Sequence, residues 1–257
     1  MSAFFARVFP DCIQLLTDGA HYDQEGVITG IKSKVYRSPY MPMVITGRGH
    51  SWFLEQFSDL LIKLSVVGNF DEFMSGIPML LEGSLKVRSQ RFKKHHHIEM
   101  LIAGWSETQG PKLYYFATHD GAFHAGAHIP PCELWEMGFE LGGGPAVTTE
   151  QLASVGITPE KLQPLGSAAV EKYGAEIFEL LRKHAEPNPD SSPWPKHYAI
   201  GGFVQLTTIT PDGSNTKTLR TWSDEVGDKV GSATSPDGEN VLRMNRHERR
   251  MRRKVAA

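Results

Sequence analysis

Four short apolar runs crowd into the first fifty residues, separated only by turn signals. AFFARVF (3–9) and CIQLLTDGA (12–20) are parted by Pro10–Asp11, and GVITGIKSKVYR (26–37) and MPMVITGRG (41–49) by Ser38–Pro39. Short strands joined by tight turns point to antiparallel pairs.

The pattern then changes period. SWFLEQFSDLLIKL (51–64) places Trp52, Phe53, Phe57, Leu60, Leu61 and Leu64 at helical spacing as an ordinary helix core, with Ser51 as the expected N-cap. Asn69 opens a second helical stretch carrying Phe70, Phe73, Met74, Ile77, Leu80 and Leu81, which Pro78 is expected to kink or split. Strand character returns in HIEMLIAGW (97–105), PKLYYFATHDG (111–121) and AFHAGAH (122–128). A polar stretch rich in Pro and Gly covers 129–165, and GSAAVEKYGAEIFELLRKHA (166–185) is an amphipathic helix with a basic C-terminal end. EPNPDSSPWP (186–195) reads as a rigid loop, and HYAIGGFVQLTTIT (197–210), PDGS and TKTLRTWS (216–223) as a last hairpin. This order predicts an α+β fold whose antiparallel sheets carry helices on their outer faces.

A chain of 257 residues, 40% of them hydrophobic, can bury a substantial core. Cys12 and Cys132 are too few for a disulfide framework, which fits a reducing, cytoplasmic setting, and Cys12 reads as a core residue. No apolar stretch reaches the roughly 18 residues a membrane helix needs. The N-terminus MSAFFARVFPD is broken by Arg7, Pro10 and Asp11 before a signal-peptide core can form. The formal charge of −2 hides an asymmetry. Residues 243–254, RMNRHERRMRRK, hold seven of the 27 Lys and Arg and one of the 29 Asp and Glu, a net +6, so the rest carries −8. Such a block reads first as a solvated tail; an arm docking on an acidic surface, or phosphate contacts with nucleic acid, are the alternatives.

The chemistry gathers at the N-terminus. A small second residue permits removal of Met1, which leaves Ser2 with a hydroxyl nucleophile and an α-amine of pKa about 7.7–8.0, suited to a general base. Asp18 follows Ser2 by sixteen positions and Lys34 follows Asp18 by sixteen. If the strands pair, Lys34 brings positive charge to the amine and hydroxyl, and Asp18 fixes Lys34.

LLTDGAHYDQEGVITGIKSKVYRSPYMPMVITGRG (15–49) resembles the proteasome β-subunit family and its bacterial two-component-protease relative. The shared features are Asp18–Gly19, Lys34–Val35 and Gly47–Arg48–Gly49. MLIAGWSETQGPKLYYFATHDG (100–121) is similar to that family's Gly-Trp and GPxLYY hairpin, and IGGFVQLTTITPDG to a later strand pair. The resemblance implies a four-layer αββα sandwich of two antiparallel sheets flanked by helices, the N-terminal-nucleophile (Ntn) hydrolase fold, over 2–226. The segment 129–197 is then enlarged and 227–257 is a basic tail. It implies a peptidase with Ser2 as nucleophile, Asp18 and Lys34 supporting it, and a backbone oxyanion donor at Gly47–Gly49. It sets His21, Lys32, Thr46 and His50 around the pocket for the substrate side chain. It implies no cofactor, a protein or peptide substrate, a homo-oligomeric ring and an ATPase partner.

The sequence departs from the family in several places. Ser2 stands for the usual Thr, and Arg48 for a Gly. Gly143 stands for a Ser, and His197 and Ile200 fall near the positions of an Asp and a Ser. Two alternatives follow: a catalytically silent ring-forming subunit, or an Ntn amidase acting on a small amide. His95–His97 read as a polar loop. His119, His124 and His128 lie near Asp120, with His124 and His128 expected on one strand face, but no metal site is assigned.

Overall fold

Phe4–Val8 (β1) and Ile13–Asp18 (β2) form the first antiparallel pair, with Phe4 opposite Thr17 and Val8 opposite Ile13. The computed structural model describes residues 3–23, 25–66, 68–91, 98–119, 122–124, 127–145, 147–186 and 197–231. The basic block 243–254, His95–His97, most of the proline loop and Ser2 lie outside the described residues. β2 is buried along its whole length because both faces are covered: Ile13 and Leu15 join one core cluster, Leu16 another. That cover buries even its polar residues, Gln14, Thr17 and Asp18.

The third expected strand divides. Ala20–Tyr22 (β3) pairs with Ile28–Ile31 (β4) as a small ribbon, residues 32–35 leave the ladder, and Tyr36–Arg37 (β5) rejoins it beside Met43–Gly49 (β6). The Gly47–Gly49 segment is not a turn but the end of β6, paired with the next strand through Gly47 opposite Met100 and Gly49 opposite Ile98.

The helix Ser51–Leu64 (α1) forms where its periodicity predicts, but its cap is His50, whose Nδ1 accepts from the Phe53 N–H at 3.4 Å; Ser51 is the first helical residue. Trp52 is 52% exposed and Leu60 also faces out, so only Phe53, Phe57 and Leu61 of this stripe are fully buried, joined by Leu54 from outside it. Phe70–Arg91 (α2) starts at Asn69, whose Oδ1 accepts from the Glu72 N–H at 2.9 Å. The helix is not split at Pro78, because Phe73, Met74 and Ile77 before it and Leu81 after it pack into one cluster.

Ile98–Ser106 (β7) and Gly110–Ala117 (β8) form the predicted hairpin. Ala122–His124 (β9) and Ala127–Ile129 (β10) make a second one, with Ala127 opposite His124. His124 and His128 therefore sit on opposite strands, and the expected shared strand face does not exist. The polar stretch 129–165 contains one edge strand of each large sheet: Leu134–Met137 (β11) pairs with β8, and Glu140–Gly143 (β12) pairs with β1. Two short helices, Thr149–Ser154 (α3) and Pro159–Leu162 (α4), lead to Ala168–Leu181 (α5). Ala185–Glu186 (β13) pairs with His197–Tyr198 (β14), and Phe203–Thr210 (β15) with Gly213–Thr221 (β16).

The larger strands make two antiparallel five-stranded sheets, ordered β12-β1-β2-β15-β16 and β11-β8-β7-β6-β5. Their packing follows from alternation along each strand. Ile13 and Leu15 meet Val44, Leu101 and Leu113 between the sheets. Met43, Ile45, Met100 and Ile102 face α1 and α2. Leu16, Val204 and Leu206 face Val170, Phe178 and Leu181 of α5. The protein is thus α+β, with antiparallel sheets and few helices in an arrangement compatible with a sandwich. The packed chain continues past residue 226: the Ile28 N–H donates to Asp228 O at 2.8 Å, and Val230 is buried. No helix of the described residues is long and apolar enough to cross a membrane.

Candidate functional site

Asp18 ends β2, and Lys34 sits in the irregular stretch between β4 and β5. Their spacing of sixteen residues in sequence becomes direct contact, with Lys34 Nζ 2.8 Å from each carboxylate oxygen. Asp18 is wholly buried and Lys34 is 4% exposed. A buried ion pair holds only if its remaining lone pairs are filled. Three backbone N–H groups do this for Asp18: Ala3 donates to Oδ1 at 3.2 Å, and Ala20 (3.2 Å) and Gly201 (3.3 Å) donate to Oδ2. Ala3 is the residue that follows Ser2.

The stretch around Lys34 is tied from both sides. Thr46 Oγ1 donates to Lys34 O at 3.0 Å. Gln205 Nε2 donates to Ser33 Oγ at 2.6 Å and to Thr17 Oγ1 at 3.1 Å, which bridges β15, β2 and the segment carrying the lysine. Burial pushes the Lys34 ammonium below its ordinary value, and Asp18 opposes that shift.

Gly47 closes the site on the β6 side. A Cβ there would collide with the Glu99 carbonyl and come 2.8 Å from Leu54, so β7 and α1 can approach this closely only at glycine. β5 stops with Tyr36 opposite Ile45, so from Thr46 onward β6 has no strand partner on that side among the described residues. N–H groups along an antiparallel strand alternate between its two sides, so those between Thr46 and Gly49 do not all point into the β7 ladder. Gly49, at φ +110°, makes the exit into α1. Arg48 is held by Glu99 through Nε and Nη2, both at 2.8 Å.

The other expected residues divide. His21 on β3 faces the positive charges of Lys34 and Lys32; burial first, then those charges, lower its pKa to about 3. Its Nε2 is buried and makes no hydrogen bond among the described residues. Lys32 pairs with Glu55 of α1, Nζ lying 3.0 Å from both oxygens. Thr46 is buried with its hydroxyl committed to Lys34 O, and His50 caps α1. The structure thus brings Asp18, Lys34, Thr46 and His21 together and engages Lys32 and His50 with α1.

Several contributors carried no signal in sequence. The amides of Ala3 and Gly201 are backbone groups, which residue type does not report. Gln205 and Ser33 lie 172 residues apart and meet only through sheet pairing. Among the described residues no cluster of three or more His, Cys, Asp or Glu is placed to hold a metal ion. The chain matches no protein-family model and no curated protein.

Proposed function

We infer that the protein is a proteasome-like Ntn hydrolase that cleaves peptide bonds through an acyl-enzyme, with Ser2 as nucleophile once the residue before it is removed. The observation that carries this reading is the buried Asp18–Lys34 pair with the Ala3 N–H donating to Asp18, because Ser2 is one peptide bond from that nitrogen. The Ser2 hydroxyl would attack the substrate carbonyl carbon while its proton passes to the α-amine. The carbonyl oxygen becomes an oxyanion, and an N–H of the 47–49 strand end is the donor proposed to stabilise it. The amine then hands the proton to the leaving nitrogen, the C–N bond breaks and an ester remains. Water attacks that ester by the same route and frees Ser2. Lys34 supplies positive charge that favours the neutral amine and the developing alkoxide. A ring of like subunits, an ATPase partner, a cytoplasmic setting and the full Ntn-hydrolase architecture belong to the same proposal through the family resemblance.

One observation favours a second reading, a catalytically silent subunit. A Cβ at Gly143, where the family carries Ser, would lie 2.6 Å from the Phe4 ring. The space for that hydroxyl is filled.

Intact-mass analysis with an electrophile selective for N-terminal nucleophiles tests the proposal. The expected species has lost Met1 and gained one adduct, and Ser2→Ala gains none. Retention of Met1 in the native protein overturns the peptidase reading. Loss of Met1 without an adduct selects the silent subunit.

A further inference from the structure

A second buried ion pair lies behind the first, joined to it by two consecutive glycines. Arg182, at the C-terminal end of α5, is 1% exposed and stacks over the Trp222 ring at 4.7 Å. Its Nη1 donates to Asp224 Oδ2 at 2.6 Å and its Nη2 to Asp224 Oδ1 at 2.5 Å. Nη1 also donates to Ile200 O at 3.0 Å, and the Gly202 N–H donates to Asp224 Oδ2 at 2.6 Å. The next N–H back along the chain, that of Gly201, donates to Asp18.

The two carboxylates thus divide two successive amides, Asp224 taking Gly202 and Asp18 taking Gly201. The loop between them is hydrogen-bonded to both carboxylates. Gly202 holds φ +76°, and Gly201 O accepts from the N–H groups of Gly19 at 3.1 Å and Ala20 at 2.9 Å. A buried ion pair is an expensive way to gain stability, since apolar side chains of similar volume serve as well or better. What apolar side chains do not supply is a fixed direction for a backbone N–H.

We propose that Arg182 and Asp224 are positioning residues that lock residues 200–202 so that the Gly201 N–H orients the Asp18 carboxylate on Lys34. Its catalytic meaning rests on the hydrolase reading above; its structural content does not.

The test uses the full chain with Arg182→Met/Asp224→Leu, which leaves neither charge buried alone, and with Arg182→Lys, which keeps the charge but not the fork. The first readout is the Lys34 titration, followed by NMR of 13C-labelled lysine; it needs no activity. Both variants are expected to move that midpoint further down, because a loosened Asp18 opposes the burial of Lys34 less. The second readout is hydrolysis, where kcat should fall about ten- to a hundred-fold with KM unchanged, as a misplaced group costs. An unmoved Lys34 midpoint in a folded variant overturns the proposal. A moved midpoint in a protein whose wild type hydrolyses nothing keeps the clamp and defeats the hydrolase reading. If the double variant does not fold, Arg182→Lys alone decides by the same criterion.

Discussion

Lys34 Nζ sits 2.8 Å from both oxygens of Asp18, and the pair is buried between the end of β2 and the stretch that follows β4. Its geometry is over-determined: Ala3, Ala20 and Gly201 supply N–H groups to the acid, while Thr46 holds the lysine's backbone. Such a pair is sensitive to the loss of either partner and tolerant of losing both.

Asp18→Ala should therefore destabilise the protein by about 3–5 kcal/mol, the cost of an uncompensated buried charge. Lys34→Met should cost a similar amount, because Asp18 then stays buried without its cation. The paired Asp18→Leu/Lys34→Met should recover much of that loss in urea denaturation while remaining inert toward the N-terminal electrophile. Equal stability of the single and double variants would contradict the burial assigned here.

His21 sets a pH limit. Its folded pKa is depressed to about 3 from an ordinary value of 6.5, so the folded protein keeps it neutral where the unfolded chain protonates. The stabilisation is fully present above pH 6.5 and is lost as pH falls toward 3, with a slope of at most about 1.4 kcal/mol per pH unit for one proton. In His21→Gln the decline of Tm between pH 6.5 and 4 should be shallower than in wild type. Parallel curves would show that His21 is not held neutral.

The helices were legible because their apolar residues recur at helical spacing: Phe53, Phe57 and Leu61 face the core as their positions require. The Trp52 position shows the limit of that rule, since spacing marks a face but not how far the neighbouring sheet extends beneath it. The edge strands β11 and β12 carry little strand signal of their own, because each is only four residues long and lies in a stretch rich in Pro and Gly; pairing with β8 and β1 makes them strands, not local preference. The Asp18–Lys34 contact was legible only after the strands were assumed to pair. The Arg182–Asp224 clamp was not, because 42 residues and a complete hairpin separate its halves.

Gln205 joins three segments through one amide. Gln205→Met keeps the volume but removes the amide donor from Thr17 Oγ1 and from Ser33 Oγ, which keeps only the Val35 N–H at 3.2 Å. Destabilisation of about 1–3 kcal/mol is expected, as for other buried polar groups that lose a partner. The 32–35 stretch should loosen with it, and faster amide exchange at Lys34 and Val35 would report that directly. Unchanged exchange there would mean that Thr46 and the Asp18–Lys34 pair hold the segment without Gln205.

The two thiols should separate cleanly. Cys12 is buried, and burial, with Asp11 adding to it, pushes its pKa up to about 11; Cys132 is exposed. Native protein should bind one equivalent of a thiol reagent, at Cys132, and a second only in denaturant. Two equivalents under native conditions would show that the Cys12 end of β2 opens readily.

Gly143 tests the proposed hydrolase reading against the proposed silent one. Phe4 and Gly143 face each other across β1 and β12, and the Phe4 ring occupies the space a side chain at 143 would need. Gly143→Ser alone should destabilise by about 1–3 kcal/mol through overpacking. Phe4→Ala/Gly143→Ser leaves room for the new side chain and sets a hydroxyl near the start of β1. If the wild type is silent for want of that hydroxyl, the paired variant should gain an N-terminal adduct that wild type lacks. If wild type already forms the adduct, the paired variant should do no better, and Phe4 is then simply the core residue that this active site packs against.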